Sequence, residues 1–165
     1  MKKGKAFKFG DDISTDHIAP GRLFHLRSDL PEFAKHVLED ADPEFASKMS
    51  KGDFVVAGNN FGLGSSREHA PQIIKIAGVG AVLAKSFARI FYRNAINIGL
   101  LLIECDTDGI DAGDELDLDI KNGVLKNLTK GTTTMIEPLP DVMIKLLNEG
   151  GLIEHIKKHG DFDLV

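Results

Sequence analysis

Three short apolar runs stand out along the middle of the chain, at residues 54–57, 81–84 and 100–103. Runs that are apolar at every position are typical of parallel strands covered on both faces. The segments between them predict helices, so residues 53–104 are predicted to form strand, helix, strand, helix, strand. Right-handed connections bring the C-terminal ends of such strands to one edge of the sheet, where ligands bind.

The flanking regions have other patterns. Residues 5–9 alternate in polarity and predict a first strand. Residues 31–49 have helical spacing interrupted at Asp42-Pro43, which predicts two short helices covering the site. Beyond Cys105 the pattern predicts antiparallel strands around the turn Asn122-Gly123 and then two amphipathic helices, over 116–120, 124–128, 132–136, 141–148 and 152–159. The fold is therefore predicted to be α/β, with a parallel βαβαβ core and an added antiparallel β layer.

Composition narrows the class of protein. The 165 residues suit one domain, 1–165, and 42% hydrophobic and 27% charged residues are ordinary for a soluble protein. A net charge of −5 without a basic run argues against a general nucleic-acid binder. Because no apolar stretch is long enough for a signal peptide or a membrane span, a cytoplasmic location is expected. The single cysteine, Cys105, excludes an internal disulfide and ends an apolar run, so a buried structural thiol is favoured over a nucleophile.

The turn after the first core strand carries the strongest chemical signal, in the run Asn59-Asn60-Phe61-Gly62-Leu63-Gly64-Ser65-Ser66-Arg67-Glu68-His69-Ala70. The two glycines let a ligand approach the backbone, the two serines suit the N-cap of the following helix, and Arg67 matches a carboxylate or phosphate. A helix N-terminus also favours anions. The dinucleotide fingerprint is not completed and no P-loop lysine follows, so nucleotide binding is disfavoured. The turn is predicted to bind an anion next to a serine hydroxyl.

Three segments together resemble the swivelling domain of the aconitase superfamily. They are Gly62-Leu63-Gly64-Ser65-Ser66-Arg67-Glu68-His69, Ser14-Thr15-Asp16-His17-Ile18 and Ala84-Lys85-Ser86-Phe87-Ala88-Arg89-Ile90-Phe91-Tyr92-Arg93-Asn94-Ala95. The resemblance implies a three-layer β/β/α arrangement. The length of the chain is similar to that of the small-subunit families of isopropylmalate isomerase and homoaconitase, in which this domain is a separate chain. A hydro-lyase that works with a large subunit is therefore expected.

The resemblance also implies roles for particular residues. Ser65 would be the catalytic base and Asp16 would face the active site, orienting a group on the other subunit. The residues implied to bind substrate are Ser66, Arg67, Gly64, Arg27 and His17. On pattern alone, an Asp beside a His in a loop more often makes local turn hydrogen bonds.

The cofactor implied by the resemblance is a [4Fe-4S] cluster. Such clusters are held by several thiolates, and one cysteine cannot hold one. The cluster is therefore expected on the large subunit, where its iron would take the substrate hydroxyl, and the present chain is expected to bind none and to be inactive alone.

The substrate depends on the loop 21–28. Leu23, Phe24 and Leu26 suit the isopropyl group of isopropylmalate, a leucine-pathway substrate, whereas Arg27 is similar to the arginine with which homoaconitase and aconitase relatives bind an additional carboxylate. Arg27 pointing to solvent or pairing with Asp29 is equally compatible with the sequence. Isopropylmalate is the leading expectation, homocitrate or citrate is the alternative, and a non-enzymatic anion-binding module is an alternative of another class.

Two further features have residue types found in binding sites. At the second strand-to-helix turn Ser86 suits a cap, while Lys85, Arg89 and Arg93 add positive charge. An ion pair of either arginine with Glu104 or with an Asp is at least as well supported as substrate contact. On the last helix, His155 and His159 are four residues apart, a spacing that allows a shared metal. Because the sequence offers no obvious third ligand, no metal site is predicted.

Overall fold

The computed structural model describes residues 1–160, which form one seven-stranded mixed sheet with helices against it. The strands are β1 (Lys2–Lys8), β2 (Phe54–Val56), β3 (Ala81–Ala84), β4 (Leu102–Glu104), β5 (Glu115–Asp119), β6 (Val124–Asn127) and β7 (Thr132–Met135). The helices are α1 (Thr15–Ile18), a 3-10 helix (Gly21–Ser28), α2 (Leu30–Ala34), α3 (Phe45–Lys48), α4 (His69–Ala77), α5 (Arg89–Ile98), α6 (Asp141–Asn148) and α7 (Leu152–His159). The strand order is β4-β3-β2-β1-β5-β6-β7.

β1 is the junction of the sheet. It pairs in parallel with β2, with Ala6 opposite Phe54, and antiparallel with β5, with Lys2 opposite Leu118. The sheet therefore has four parallel strands, one more than the three apolar runs predict, and the antiparallel strands continue the same sheet. β1 also begins earlier than the predicted strand at 5–9. The prediction misses its first half because lysines there hide the alternating pattern of a strand.

Alternate residues of the central strands face two different cores. Val55 and Val82 pack with the helices, whereas Phe54 and Leu83 pack with residues of the antiparallel strands such as Leu118. The antiparallel half thus curls over one face of the parallel half while the helices cover the other. This arrangement confirms the predicted α/β fold with its β/β/α layers.

The helices lie close to their predicted positions. α2 and α3 are separated by turns around Asp42-Pro43, and α2 packs on α4. α6 and α7 are divided by Gly150 and Gly151, which both have positive φ. Within residues 1–160 there is no helix with the length and apolar character needed to cross a lipid bilayer.

Candidate functional site

The three sequence motifs meet at the C-terminal ends of β2 and β3. Ser14 forms a parallel bridge with Leu63, and the main-chain N–H of Thr15 donates to the Leu63 carbonyl at 2.8 Å. Phe61 bridges Phe87 in the same way. Segments that are far apart in sequence are therefore joined by backbone contacts around the glycine-rich turn.

The two glycines of this turn are required by its geometry. Gly62 has φ +85° and lies against Phe91, whose Cγ would be 2.3 Å from an added Cβ. Gly64 has φ +108° and lies over Thr15, whose hydroxyl oxygen would be 3.2 Å from an added Cβ. Thr15 also donates its hydroxyl hydrogen to the Ser65 carbonyl at 3.1 Å. The backbone that carries Ser65 is thus held by α1.

The two serines precede the helix and do not cap it. α4 begins at His69, after Glu68, and has no side-chain cap, so the predicted capping by a serine is wrong. The reason is local: Ser65 and Arg67 form a tight turn in which the Arg67 N–H donates to the Ser65 carbonyl at 2.8 Å, which delays the helix. Ser65 and Ser66 are both exposed.

A cavity of about 210 Å³ lies between this turn and the start of α5. Its polar lining comes from Thr15, Ser65, Ser66, Arg67, Arg89 and Asn94. Ala88 and Arg89 bring the start of α5 to this cavity, but Lys85 and Ser86 do not line it. Lys85 lines a different cavity with Cys105 and Asp108, so the crevice predicted to be common to the Ser65 turn and the Lys85-Ser86 turn is not found among residues 1–160. Among residues 1–160 the charged residues of the wall of the Ser65 cavity are Arg67 and Arg89, which are both basic, so the wall suits an anion.

Arg67 is oriented by its own chain. Its Nη1 donates to Asp16 Oδ1 at 2.7 Å and to the Ala19 carbonyl at 2.8 Å. Asp16 in turn accepts a hydrogen bond from the Gly21 N–H at 3.1 Å. Asp16 thus contacts Arg67 instead of standing free at the site, and within residues 1–160 the second terminal nitrogen of Arg67 makes no hydrogen bond.

His17 makes the local hydrogen bonds that the pattern alone favours. Its Nδ1 accepts from the Ser14 N–H at 2.9 Å, and the Ser14 hydroxyl accepts from the His17 N–H at 3.2 Å. This capping box at the start of α1 occupies one ring nitrogen. His17 therefore supports the helix that carries Asp16.

Arg27 lies beside the cavity without lining it. Its guanidinium carbon is 4.3 Å from the centre of the Phe24 ring, and Nη1 donates to the Phe24 carbonyl at 3.2 Å. Arg67 approaches the same ring at 6.0 Å. Asp29 is used elsewhere, as the cap of α2, so the suggested pair with Arg27 is absent from the described residues.

Phe24 is the exposed member of the apolar loop residues. Leu23 and Leu26 pack against the main core, whereas Phe24 is 42% exposed, so the three do not form one apolar pocket. The His69 ring lies between Phe24 and Phe33, at 5.5 and 5.4 Å between ring centres. Burial first, and then the charges of Arg67 and Arg27, lower the pKa of His69 below its usual value.

Comparison with known proteins places this site in a family. Residues 28–108 match the family described as "Aconitase C-terminal domain". The chain is 64% identical over 161 residues to the "3-isopropylmalate dehydratase small subunit 2" of Archaeoglobus fulgidus, covering 98% of both chains. It is 61% identical over 166 residues to small subunit 1 of the same enzyme from Thermotoga maritima, covering 100% of both. The chain belongs to the 3-isopropylmalate dehydratase small-subunit family.

A solved structure agrees with this membership. A crystal structure described as 3-isopropylmalate dehydratase from Methanocaldococcus jannaschii matches with a TM-score of 0.89 and 45% identity, covering 96% of this chain and 94% of that one. The dehydratase small-subunit family confirms the predicted superfamily and the predicted class, a subunit of a hydro-lyase. Leucine biosynthesis follows from the family name.

The second turn of this family member differs from its prediction. α5 begins at Arg89 without a side-chain cap, and the Ser86 hydroxyl accepts instead from the Asn60 N–H at 2.8 Å, so the predicted capping by Ser86 is wrong. Lys85 pairs with Asp108 at 2.6 Å. Among the described residues neither Arg89 nor Arg93 forms an ion pair with Glu104.

Two further site residues are Arg89, for which the sequence leaves substrate contact open, and Asn94, which the sequence does not single out as a site residue. Both lie on α5 and line the Ser65 cavity of this dehydratase-family chain. Their spacing would have placed them near one another on a helix, but only the position of α5 against the glycine turn brings them to the serines. The available signal was the position of Arg89 at the helix start.

Proposed function

We propose that the chain is the small subunit of a heteromeric hydro-lyase that interconverts 2-isopropylmalate and 3-isopropylmalate by dehydration and rehydration. The observation that carries the proposal is one cavity lined by the exposed Ser65 together with Arg67 and Arg89, the two charged residues of its wall among residues 1–160. A dicarboxylate substrate has the complementary charge. The names of the relatives, which are small subunits of 3-isopropylmalate dehydratase, support the same reaction.

In this proposal the iron-sulfur cluster belongs to the large subunit. The chain has one cysteine, Cys105, whereas a cluster needs several thiolate ligands. Cys105 is half-buried, and burial, followed by the charge of Asp106, raises the pKa of its thiol to about 11. A thiol that stays protonated at neutral pH is a poor metal ligand. The residues present do not fit the cluster.

The size of the cavity supports a site shared with a partner. Pockets that enclose a small ligand usually measure about 300–1,000 Å³, whereas this cavity measures about 210 Å³ and its serines are exposed. A large subunit that covers the turn would enlarge the cavity and exclude water from it. The names of the relatives imply such a subunit.

The proposed reaction requires this chain to stabilise the negative charge that develops on a substrate carboxylate. Removing a proton from the carbon next to a carboxylate puts charge on that carboxylate, and a positioned donor for such charge is worth roughly 3–4 kcal/mol in the transition state. Arg67 supplies such donors, and its orientation by Asp16 at 2.7 Å prepares it before substrate binds. The first turn of α5, which has no side-chain cap, adds main-chain N–H groups near the same cavity.

Ser65 is the proposed base. A serine hydroxyl is ordinarily too weak an acid to be present as alkoxide, but a concentrated positive field favours the charged form and lowers the hydroxyl pKa. Arg67 and Arg89 in the cavity wall provide that field. Ser65 would take the proton from carbon as the C–H bond breaks, and the substrate hydroxyl would leave from the neighbouring carbon towards the large subunit, where it would be protonated to water. Rehydration would reverse both transfers, while Ser66 and the open face of Gly64 contact the substrate.

The test is Ser65→Ala in the enzyme reconstituted with its large subunit. Since general base catalysis contributes roughly 10²–10⁴-fold, kcat for isopropylmalate should fall by that factor while the two subunits still assemble. Ser47→Ala is the control, because Ser47 is an exposed serine on α3 and should leave kcat unchanged. Unchanged turnover in Ser65→Ala would contradict the proposed role.

A tricarboxylate such as homocitrate or citrate is the second candidate substrate. Arg27 favours it, because this guanidinium and that of Arg67 lie against the same Phe24 ring, at 4.3 and 6.0 Å. A hydrogen bond to a charged group contributes about 1.5–3 kcal/mol. Arg27→Val should therefore lower kcat/KM for a tricarboxylate roughly 10–100-fold and leave isopropylmalate turnover nearly unchanged. Equal effects on both substrates would remove Arg27 from substrate selection.

A further inference from the structure

A second cluster of metal-ligating side chains lies at the junction of α6 and α7, among residues that do not line the Ser65 cavity. Glu149, His155 and His159 each offer one ligand atom, and these atoms lie within 4.8 Å of one another. Imidazole nitrogens together with a carboxylate oxygen are the ligands that Zn²⁺ prefers. The sequence offered the two histidines, and the fold supplies the third ligand.

The turn between the two helices builds the cluster. Glu149 is the C-cap of α6, and Gly150 and Gly151, with φ +94° and +103°, reverse the chain before α7 begins. His155 and His159 are one helical turn apart on the same face of α7, with their ring centres separated by 4.6 Å. The reversal places the Glu149 carboxylate against both rings.

The distances suit a tetrahedral ion after a small adjustment. His159 Nε2 lies 3.2 Å from Glu149 Oε1, and His155 Nδ1 contacts Glu149 Oε2. Bonds of about 2.0–2.2 Å to a tetrahedral Zn²⁺ separate neighbouring ligand atoms by about 3.3–3.5 Å. The distance from His159 Nε2 to Glu149 Oε1 is slightly below this range. His155 Nδ1 contacts the other carboxylate oxygen, so the carboxylate has to rotate for one ion to reach both histidines.

The burial of the three ligands is graded from core to surface. The side chains of His155, Glu149 and His159 are 0%, 16% and 38% exposed. The inner ligand is therefore held by packing, while the outer one opens to solvent and leaves room for an entering ion and a water molecule as fourth ligand.

We propose that Glu149, His155 Nδ1 and His159 Nε2 bind one zinc-like divalent ion, with water in the fourth position. The ion joins α7 to the end of α6. The backbone of Gly151 packs directly against Gly99 at the end of α5. The ion therefore also stabilises the packing of α7 against α5, and the other end of α5 lines the Ser65 cavity. This proposal is independent of the reaction proposed above.

The test is titration of ZnCl₂ into the full chain after treatment with a chelator, followed by calorimetry and by thermal unfolding. One ion per chain should bind and raise the Tm. Glu149→Gln and His159→Ala should each weaken binding at least about tenfold, since even outer-shell groups contribute roughly 10–100-fold to metal affinity. Mg²⁺ should not compete, because it prefers all-oxygen sites.

Glu39→Gln is the matched control. Glu39 contacts His36 at 3.2 Å on the surface, so it forms a similar carboxylate–histidine pair outside the three-ligand cluster. Zinc binding should survive this change. The visible absorption spectrum of Co²⁺ bound to the unmodified chain is a second measurement, since tetrahedral Co²⁺ absorbs strongly. Absence of saturable zinc binding, octahedral Co²⁺ spectra, or binding retained in both cluster variants would each overturn the proposal and leave a hydrogen-bonded triad only.

Discussion

Asp16 and Arg67 form an ion pair that matters for orientation more than for stability. The Asp16 side chain is 65% exposed, and exposed pairs contribute about 0–1 kcal/mol to folding. Asp16→Asn should therefore change the free energy of unfolding little. Its effect on kcat/KM in the reconstituted enzyme should be a loss of about 10–100-fold, because a misplaced guanidinium loses transition-state contacts.

Asp40→Asn is the control for this change. Asp40 pairs with Arg22 at 3.0 Å on the surface and is not among the site residues, so its loss should affect neither activity nor stability appreciably. If Asp16→Asn lowered stability and activity in proportion, the activity loss would come from unfolding, and the orienting role of Asp16 would be refuted.

Gly62 can be tested for close packing against Phe91. An alanine there would combine φ +85° with a Cβ placed 2.3 Å from the ring, so Gly62→Ala should cost roughly 2–4 kcal/mol of unfolding free energy. Gly131 has φ +68° with nothing within 4 Å of an added Cβ, so Gly131→Ala should cost only about 1 kcal/mol. Urea unfolding of the two variants compares them, and equal losses would refute the packing argument.

These residue-scale features differ in how far the sequence predicts them. The close approach at Gly62 and Gly64 follows from the absence of a Cβ, which is a local property. The roles of Ser65, Ser66 and Ser86 were mispredicted as caps because capping depends on the residue at which a helix begins. That residue is set here by contacts with distant segments, such as Thr15 on the Ser65 carbonyl and Asn60 on the Ser86 hydroxyl.

At the scale of elements, His69 joins the start of α4 to the 3-10 helix and to α2. Its ring contacts Phe24 of the one and Phe33 of the other. Burial lowers the pKa of His69 below 6.5 in the folded chain. The unfolded chain therefore binds more protons near and below that pH, so the contribution of His69 to stability is complete above pH 6.5 and is lost as the pH falls towards its folded pKa.

The pH dependence of unfolding measures this contact. Between pH 7.5 and pH 5.5, about one unit on each side of the ordinary histidine pKa, His69→Gln should lose less unfolding free energy than the unmodified chain. The reason is that the substituted side chain takes up no proton on unfolding. His25→Gln, at an exposed position in the 3-10 helix, should retain the original slope. Identical slopes for the His69 variant and the unmodified chain would show that His69 does not link these elements to pH.

The sequence predicts the strands β2, β3 and β4 better than it predicts β1, for a physical reason. The runs at 54–57, 81–84 and 100–103 are apolar because both faces of β2, β3 and β4 are covered, and this burial is visible in the sequence. β1 lies at the centre of the sheet, but its lysines extend beyond the covered part. β1 pairs with both β2 and β5, which are far from it in sequence, so the pattern of β1 alone does not predict these partners.

At the scale of the whole molecule, the curled sheet leaves the Ser65 cavity at an open edge. The parallel core and the added antiparallel strands follow from the apolar patterns of the two halves of the chain, whereas their β/β/α arrangement was implied by the family resemblance. The open edge depends on how α1, the glycine turn and α5 meet, and no single segment determines that. Two arginines line the cavity and its two serines are exposed, as expected of a binding site that a second subunit completes.

A half-built site should bind its substrate weakly by itself. Water competes for Arg67 and Arg89 in the isolated chain, so calorimetry with isopropylmalate should give millimolar or weaker affinity there and at least about tenfold tighter binding to the two-subunit complex, a difference of about 1.4 kcal/mol. Arg67→Ala in the complex should abolish that gain, since its guanidinium is the donor that the proposed reaction uses. An autonomous anion-binding module would behave differently, because its affinity would already be complete without a partner. Equal, tight binding by the chain and the complex would favour that module and count against a site completed by the large subunit.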